Sequence, residues 1–173
     1  MILTGQQIIE EVKNGRITIS PFQITQVTTN SYDLRLDSEF VEYLDLVLDP
    51  RVPPQTKTIS IPSGESIEFS AGDFKLGSSI EIIGSDHFVP IIHAKSGIAR
   101  LGLFVHVTAD LIDIGFVGKT TFQLYATLPI SITPNMLIAQ VSFWVPDGPI
   151  DLYNGKYQHA EKPMASQISH DFL

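Results

Sequence analysis

The residues from which chemistry can be built lie close together, between positions 91 and 127. Lys95, Ser96, Gly97 and Arg100 come first. The run S-G-I-A-R is too short for a long helix but suits one or two turns, capped by Ser96 and stopped at Gly102. Unpaired N–H groups at the start of such a turn attract negative charge, and Lys95 and Arg100 add cationic donors. Charge-assisted hydrogen bonds to phosphate are the strong kind. The same residues also suit a plain turn with solvated basic side chains. Asp113 follows near the tip of a turn, where Gly115 and Gly118 flank Phe116. A carboxylate there can cap its own turn, act as a base toward water, or accept a hydrogen bond from a sugar hydroxyl.

Two alternating runs hold this turn. From Leu101 to Ala109, Leu103, Val105 and Val107 alternate with Phe104, His106 and Thr108. From Thr120 to Thr127, Thr121, Gln123, Tyr125 and Thr127 form a polar face, and Phe122, Leu124 and Ala126 an apolar one. Period-two alternation marks a strand with one buried face, so the pair reads as a hairpin-like clip. The rest of the chain supplies mostly strands. Asn30 to Leu36, Thr58 to Ile61, Ser66 to Phe69, Ser79 to Ile83 and His87 to Ile92 are short strand-like runs between Gly and Pro turns. Such spacing indicates a sandwich or barrel. One helix is expected from Thr4 to Gly15, with Thr4 as N-cap and Ile8, Ile9 and Val12 as its apolar stripe. Glu10, Glu11 and Lys13 are expected to face water. Asp49 to Lys57 is a loop punctuated by proline.

Composition bounds what this clip serves. The 173 residues suffice for one domain with a real core, and no linker or repeat divides positions 1–173. Hydrophobic residues make up 43% and charged ones 17%, which excludes a disordered chain. There is no cysteine, hence no disulfide framework and no thiolate metal site, which fits a reducing, cytoplasmic setting. The N-terminal residues lack the pattern of a signal peptide, and no apolar run is long enough to cross a membrane. A net charge of −8 argues against broad binding to nucleic acid. A small anionic ligand remains compatible, because one local basic cluster suffices for it.

The order and spacing of these motifs resemble the dCTP deaminase branch of the dUTPase superfamily. The stretch A-K-S-G-I-A-R-L-G-L-F-V-H-V-T-A-D-L-I-D-I-G-F-V-G-K is similar to that family's G-R/K-S-S-L-A-R-L-G, H-x-T-A and I-D-x-G-F/W-x-G. N-S-Y-D-L-R-L, with Asp33, resembles its first motif, and Pro134 to Gln140 its P-G-M-x-I-x-Q strand. Lys156-Tyr157-Gln158 followed by Ala165-Ser166 resembles its C-terminal segment. The resemblance implies a mainly β, distorted β-barrel or jelly-roll-like fold with a short N-terminal helix. It implies a homotrimer with active sites between subunits, a pyrimidine deoxynucleoside triphosphate as ligand, and Mg²⁺ on the phosphates, with no metal ligand from the protein itself. Lys95, Ser96, Gly97 and Arg100 would then hold phosphates. His106, Val107, Thr108 and Ala109 would line the base pocket, Asp113 would meet the sugar hydroxyl and water, and Phe116 would pack on the sugar. Gln140, Lys156 and Tyr157 would close over the phosphates. Asp33 would be structural or metal-linked.

The departures from the pattern select among reactions. The deaminases carry a glutamate on the strand after the clip, where this chain has Gln123. Deamination at C4 needs a group that takes a proton from water and returns it to the leaving amine. A carboxamide has no suitable proton to exchange. General acid–base help is worth about 100- to 10,000-fold. Zinc-assisted deamination needs an H-x-E with P-C-x-x-C pattern, which a chain without cysteine cannot supply. Gly97 replaces a second serine, Ala160 and Lys162 replace a glutamine and a glycine, Glu161 adds charge, and Asp110 stands where bifunctional members carry glycine. Three readings follow. The favoured one is a hydrolase converting dUTP to dUMP and pyrophosphate. The alternatives are a dCTP deaminase forming dUTP or dUMP and ammonia, and a non-catalytic nucleotide-binding or regulatory homologue.

Overall fold

Thr4 opens the first regular element. Its hydroxyl accepts from the Gln7 amide at 3.4 Å, and helix α1 spans Gly5–Lys13. Such a cap is worth about 1 kcal/mol over alanine. Asn14 closes the helix, and Gly15 leaves it at a φ of 70°, which glycine adopts without strain. Ile8 is fully buried. Glu11 departs from expectation: it faces inward and is 2% exposed. Arg16, just past the helix, turns back and donates to both of its carboxylate oxygens. Burial pushes the Glu11 carboxyl up, but hydrogen bonds from Arg16 and Gln7 outweigh it and hold the group below its ordinary value.

The structure, a computed structural model, describes residues 1–172. Its strands are β1 (Thr18–Ser20), β2 (Tyr32–Arg35), β3 (Glu39–Tyr43), β4 (Thr56–Ser60), β5 (Ile67–Phe69), β6 (Phe74–Gly84) and β7 (Val89–Ala94). After a single helical turn α2 (Ser96–Arg100) come β8 (Leu103–Phe104), β9 (Val117–Ala126), β10 (Ile130–Ile132) and β11 (Leu137–Trp144). One sheet runs β4-β3-β6-β9-β8 with β1 beside β6; a second runs β2-β11-β7; β5 pairs with β10. One core is shared by Leu34, Ile92, Val141 and Phe143 from the second sheet and Phe40, Ile83, Phe122 and Leu124 from the first. The fold is therefore mainly β and jelly-roll-like, with one short N-terminal helix. Among the described residues the two larger sheets are bridged at Leu36 and Ser79 and do not close into a continuous barrel.

The period-two reading of β9 holds. Phe122, Leu124 and Ala126 are fully buried, while Lys119, Thr121 and Gln123 are only partly covered and Tyr125 is exposed. β2 alternates in sequence, yet both of its faces are covered, because Asp33 is 6% exposed beside fully buried Tyr32 and Leu34. The strand expected over Leu101 to Ala109 is cut to β8. Its pairing with β9 ends where the Gln123 amide donates to the Val105 carbonyl at 2.8 Å. Beyond that point the chain crosses to β7: the Ile92 amide donates to Asp110 at 2.9 Å and the Ile112 amide to Pro90 at 3.0 Å. β7 leads directly into α2. Lys95 caps that turn through its backbone and Ser96 is its first residue, so the expected serine cap is absent.

Candidate functional site

The outward face of β9 presents Lys119, Thr121, Gln123 and Tyr125 in a row. A cleft of about 980 Å³ opens over this face, a volume within the range of small-molecule sites. The loop between β8 and β9 lines it with His106, Ala109, Asp113 and Phe116, and the C-terminal segment contributes Lys156 and Tyr157. That segment is stitched along β9. The Lys119 amide donates to Ala160 at 2.7 Å, and Thr121 Oγ1 accepts from the Met164 amide at 3.1 Å. Gln158 spans the junction: its Oε1 accepts from the Val117 amide and its Nε2 donates to the Gly115 carbonyl, each at 2.8 Å.

Asp113 is exposed at the cleft wall. Its backbone carbonyl closes the turn by accepting from the Phe116 amide at 3.1 Å. Among the described residues its carboxylate has no hydrogen-bond or ion-pair partner, so the turn does not consume it. The Gln123 carboxamide is likewise unbonded among the described residues and keeps a donor and an acceptor for a ligand. Phe116 is 8% exposed, and its ring meets Tyr153 edge-on at 6.2 Å. His106 lies deeper, edge-on to Phe122 at 6.0 Å, and neither ring nitrogen has a partner among the described residues. Burial lowers its pKa to about 4; Asp110 opposes the shift and His93 adds to it. The ring is therefore neutral at pH 7, a polar floor and not a cation.

The remaining candidates gather elsewhere. Lys95, Ser96, Gly97 and Arg100 lie on or beside α2, outside the cleft wall. The Lys95 ammonium donates to Asp33 Oδ2. Among the described residues Arg100 Nη1 reaches only Ser96 Oγ, at 3.4 Å, and a Cβ at Gly97 would meet open space. Gln140 groups with α2 and not with Lys156 and Tyr157. It sits opposite His93 on β7, and its amide is held by Ser31 Oγ at 2.8 Å and the Ala94 carbonyl at 3.4 Å. Val107 and Thr108 occupy the exposed crest of the loop. Within the C-terminal segment, Lys156 Nζ donates to Asp171 at 2.6 Å and the Tyr157 hydroxyl accepts from the Gln167 amide at 2.9 Å.

Sequence reasoning missed part of the cleft. Lys119 and Thr121 share a face with Gln123, and the same alternation could have found them. Tyr43, Leu48, Asp49 and Val52 also line the wall, but they come from β3 and the loop behind it, and no local pattern points from there to β9.

Comparisons with known proteins bear on the family and the fold. A family profile described as "dCTP deaminase-like" matches residues 2–145. A Clostridium botulinum (strain Eklund 17B / Type B) protein named "dCTP deaminase, dUMP-forming" is 38% identical over 173 residues, covering 99% of each chain. A protein of the same name from Cytophaga hutchinsonii is 36% identical over 173 residues, with the same coverage of this chain and of its own. A crystal structure of 2'-deoxycytidine 5'-triphosphate deaminase from Agrobacterium tumefaciens superposes with a TM-score of 0.66 at 18% identity, over 84% of this chain and 48% of that one. This last likeness concerns the fold alone.

Proposed function

The chain belongs to the dCTP deaminase-like family, and from that premise we propose that it hydrolyses a pyrimidine deoxynucleoside triphosphate, dUTP to dUMP and pyrophosphate being the favoured reaction. The observation that carries this reading is the pairing of an unbonded Gln123 with an unbonded Asp113 on one cleft. The relatives named dUMP-forming act, by that name, from dCTP to dUMP. Such a conversion needs a deamination and a phosphoanhydride cleavage. Gln123 cannot move the proton that deamination requires. Cleavage needs only cationic and N–H groups on the phosphates, charge neutralisation, and a group that orients water. Those parts remain.

In the proposed reaction water attacks phosphorus, the bond to the bridging oxygen breaks, and pyrophosphate leaves. Asp113 orients the water and accepts from the sugar hydroxyl. Gln123 hydrogen-bonds the pyrimidine edge, with His106 as the neutral floor and Phe116 against the sugar. Lys95, Ser96 and Arg100 stabilise charge on the phosphates. Mg²⁺ suits a place on substrate phosphates with few protein ligands. When bound it would neutralise developing charge on the phosphate oxygens.

α2 lies outside the cleft of its own chain, which supports a site in which a second copy brings its α2 to that cleft. We take the assembly to be a homotrimer. Leu101, Phe104, Val107 and Leu111 are exposed around α2 and the loop crest, and an apolar cluster of that kind suits burial by another subunit.

The test is incubation with dUTP and dCTP separately, with Mg²⁺, and chromatography of the products. dUMP from dUTP with dCTP intact is expected. Uracil nucleotides and ammonia from dCTP would overturn the Gln123 argument and favour the deaminase that the relatives' names describe. No turnover of either would leave a nucleotide-binding homologue.

A further inference from the structure

We infer that Asp33 is a positioning residue of the phosphate subsite, acting through Lys95 and braced from behind by Gln26, Glu81 and Arg35. The inference rests on reading α2 as the phosphate-binding turn. Asp33 lies on β2, opposite Gln140 on β11. One of its carboxylate oxygens accepts from the Lys95 ammonium. The other, Oδ1, is buried without a partner among the described residues. A buried carboxylate requires a cation or several donors, and Lys95 is the cation it has.

The pair also acts on the lysine. A free lysine loses much rotamer freedom when it orders on a phosphate. Lys95 is already ordered by Asp33, so that loss precedes binding. An ammonium carries three donors, and the Lys95 side chain remains 32% exposed. Donors are therefore left over for a ligand at the start of α2.

The brace behind Asp33 is almost wholly buried. Gln26, 3% exposed, donates from Nε2 to the Asp33 carbonyl at 2.7 Å and to Glu81 Oε1 at 3.0 Å. Glu81, on β6 and fully buried, accepts from Arg35 Nε at 2.6 Å and from the Arg35 backbone amide at 2.9 Å. A buried ion pair is a weak source of stability, because desolvation offsets its attraction. Its geometry accounts for it better. Arg35 and Asp33 are two residues apart on β2, so clamping Arg35 to β6 fixes the strand on which Asp33 stands.

The experiment measures binding of a non-hydrolysable α,β-imido-dUTP by calorimetry and of deoxyuridine by NMR titration. It uses the full chain and the variants Lys95→Met, Asp33→Asn and both together. Lys95→Met is expected to weaken imido-dUTP about 10- to 100-fold. Asp33→Asn is expected to weaken it roughly tenfold, and the double variant should be no weaker than Lys95→Met alone. Deoxyuridine, which has no phosphate, should bind all four alike. Equal losses on both ligands would make Asp33 merely structural. Full additivity, or no loss in Asp33→Asn, would separate it from Lys95. Each of these overturns the inference and leaves the phosphate reading intact. If Lys95→Met leaves imido-dUTP binding unchanged, the reading of α2 falls and the inference with it. Should Asp33→Asn fail to fold, Gln26→Met keeps the ion pair but loosens its brace. It is expected to weaken imido-dUTP alone by about threefold, and a matching loss on deoxyuridine overturns the inference.

Discussion

Gln123, Asp113 and His106 each answer to a single substitution. Gln123→Glu puts back a group that can take a proton from water and hand it to a leaving amine. Ammonia release from dCTP is expected to rise about 100-fold or more, followed by a coupled ammonia assay; no rise would mean that Gly97 or Asp110 also blocks that chemistry. Asp113→Ala is expected to lower dUTP turnover about 100-fold or more. The carboxylate is exposed and unbonded among the described residues, so thermal stability should stay within about 0.5 kcal/mol; unchanged turnover would remove Asp113 from the reaction. His106 gives the fold a pH dependence. Burial lowers its pKa from 6.5 to about 4 in the folded chain, so the unfolded chain takes up the proton first as pH falls. The stability this contributes is whole above about pH 6.5 and is lost toward pH 4, up to about 3 kcal/mol. The melting temperature should drop across that interval and drop less in His106→Phe. A parallel fall in both would assign the loss to other groups.

At the level of the elements, the close approaches are carried by glycine. A Cβ at Gly118 would lie 2.8 Å from the Ala160 amide nitrogen and 3.0 Å from Phe116 Cζ. Gly118→Ala is therefore expected to lift the C-terminal segment from β9 and leave the sheets folded. Limited proteolysis should cut the chain after Val145 faster than in the parent, with the remaining body resistant. An unchanged cleavage rate would mean that the segment is not held by this contact. This docking was not legible in the sequence, because Gln158 and Met164 reach β9 from some 40 residues away. What was legible was local. Thr4, Asn14 and Gly15 bound α1 by capping chemistry, and β9 showed its alternation because it has one buried face. The rest depended on neighbours. Glu11 read as a solvated residue until Arg16 folded back onto it. The run after β8 kept its strand pattern while its backbone crossed to β7. Within one chain Gln140 lies with α2 and apart from Lys156, a placement its own segment does not announce, because nothing there says that β11 lies between β2 and β7.

For the whole molecule, the division of the candidate residues between α2 and the cleft gives the sharpest consequence. The cleft wall includes Asp113, Gln123 and Lys156 but none of Lys95, Ser96, Gly97 or Arg100. If one chain held a complete site, two chains with different lesions could not repair one another. If the site is shared between copies, they can. Arg100→Ala removes one cation of the α2 subsite and Asp113→Ala removes the carboxylate of the cleft, so each variant alone should turn over far more slowly than the parent. In a randomly assembled equal mixture, half of the clefts keep Asp113, and half of those face an intact α2 from a neighbour. About a quarter of the parent turnover is expected to return in a closed ring with equivalent interfaces. The same mixture should elute near three times the 19.1 kDa chain mass. Recovery at that size fits a shared site in a trimer. No recovery, with the trimer intact, would place α2 and the cleft of one chain in the same site. A monomer with full dUTP turnover would remove the need for a second copy and would require α2 to serve some other anion.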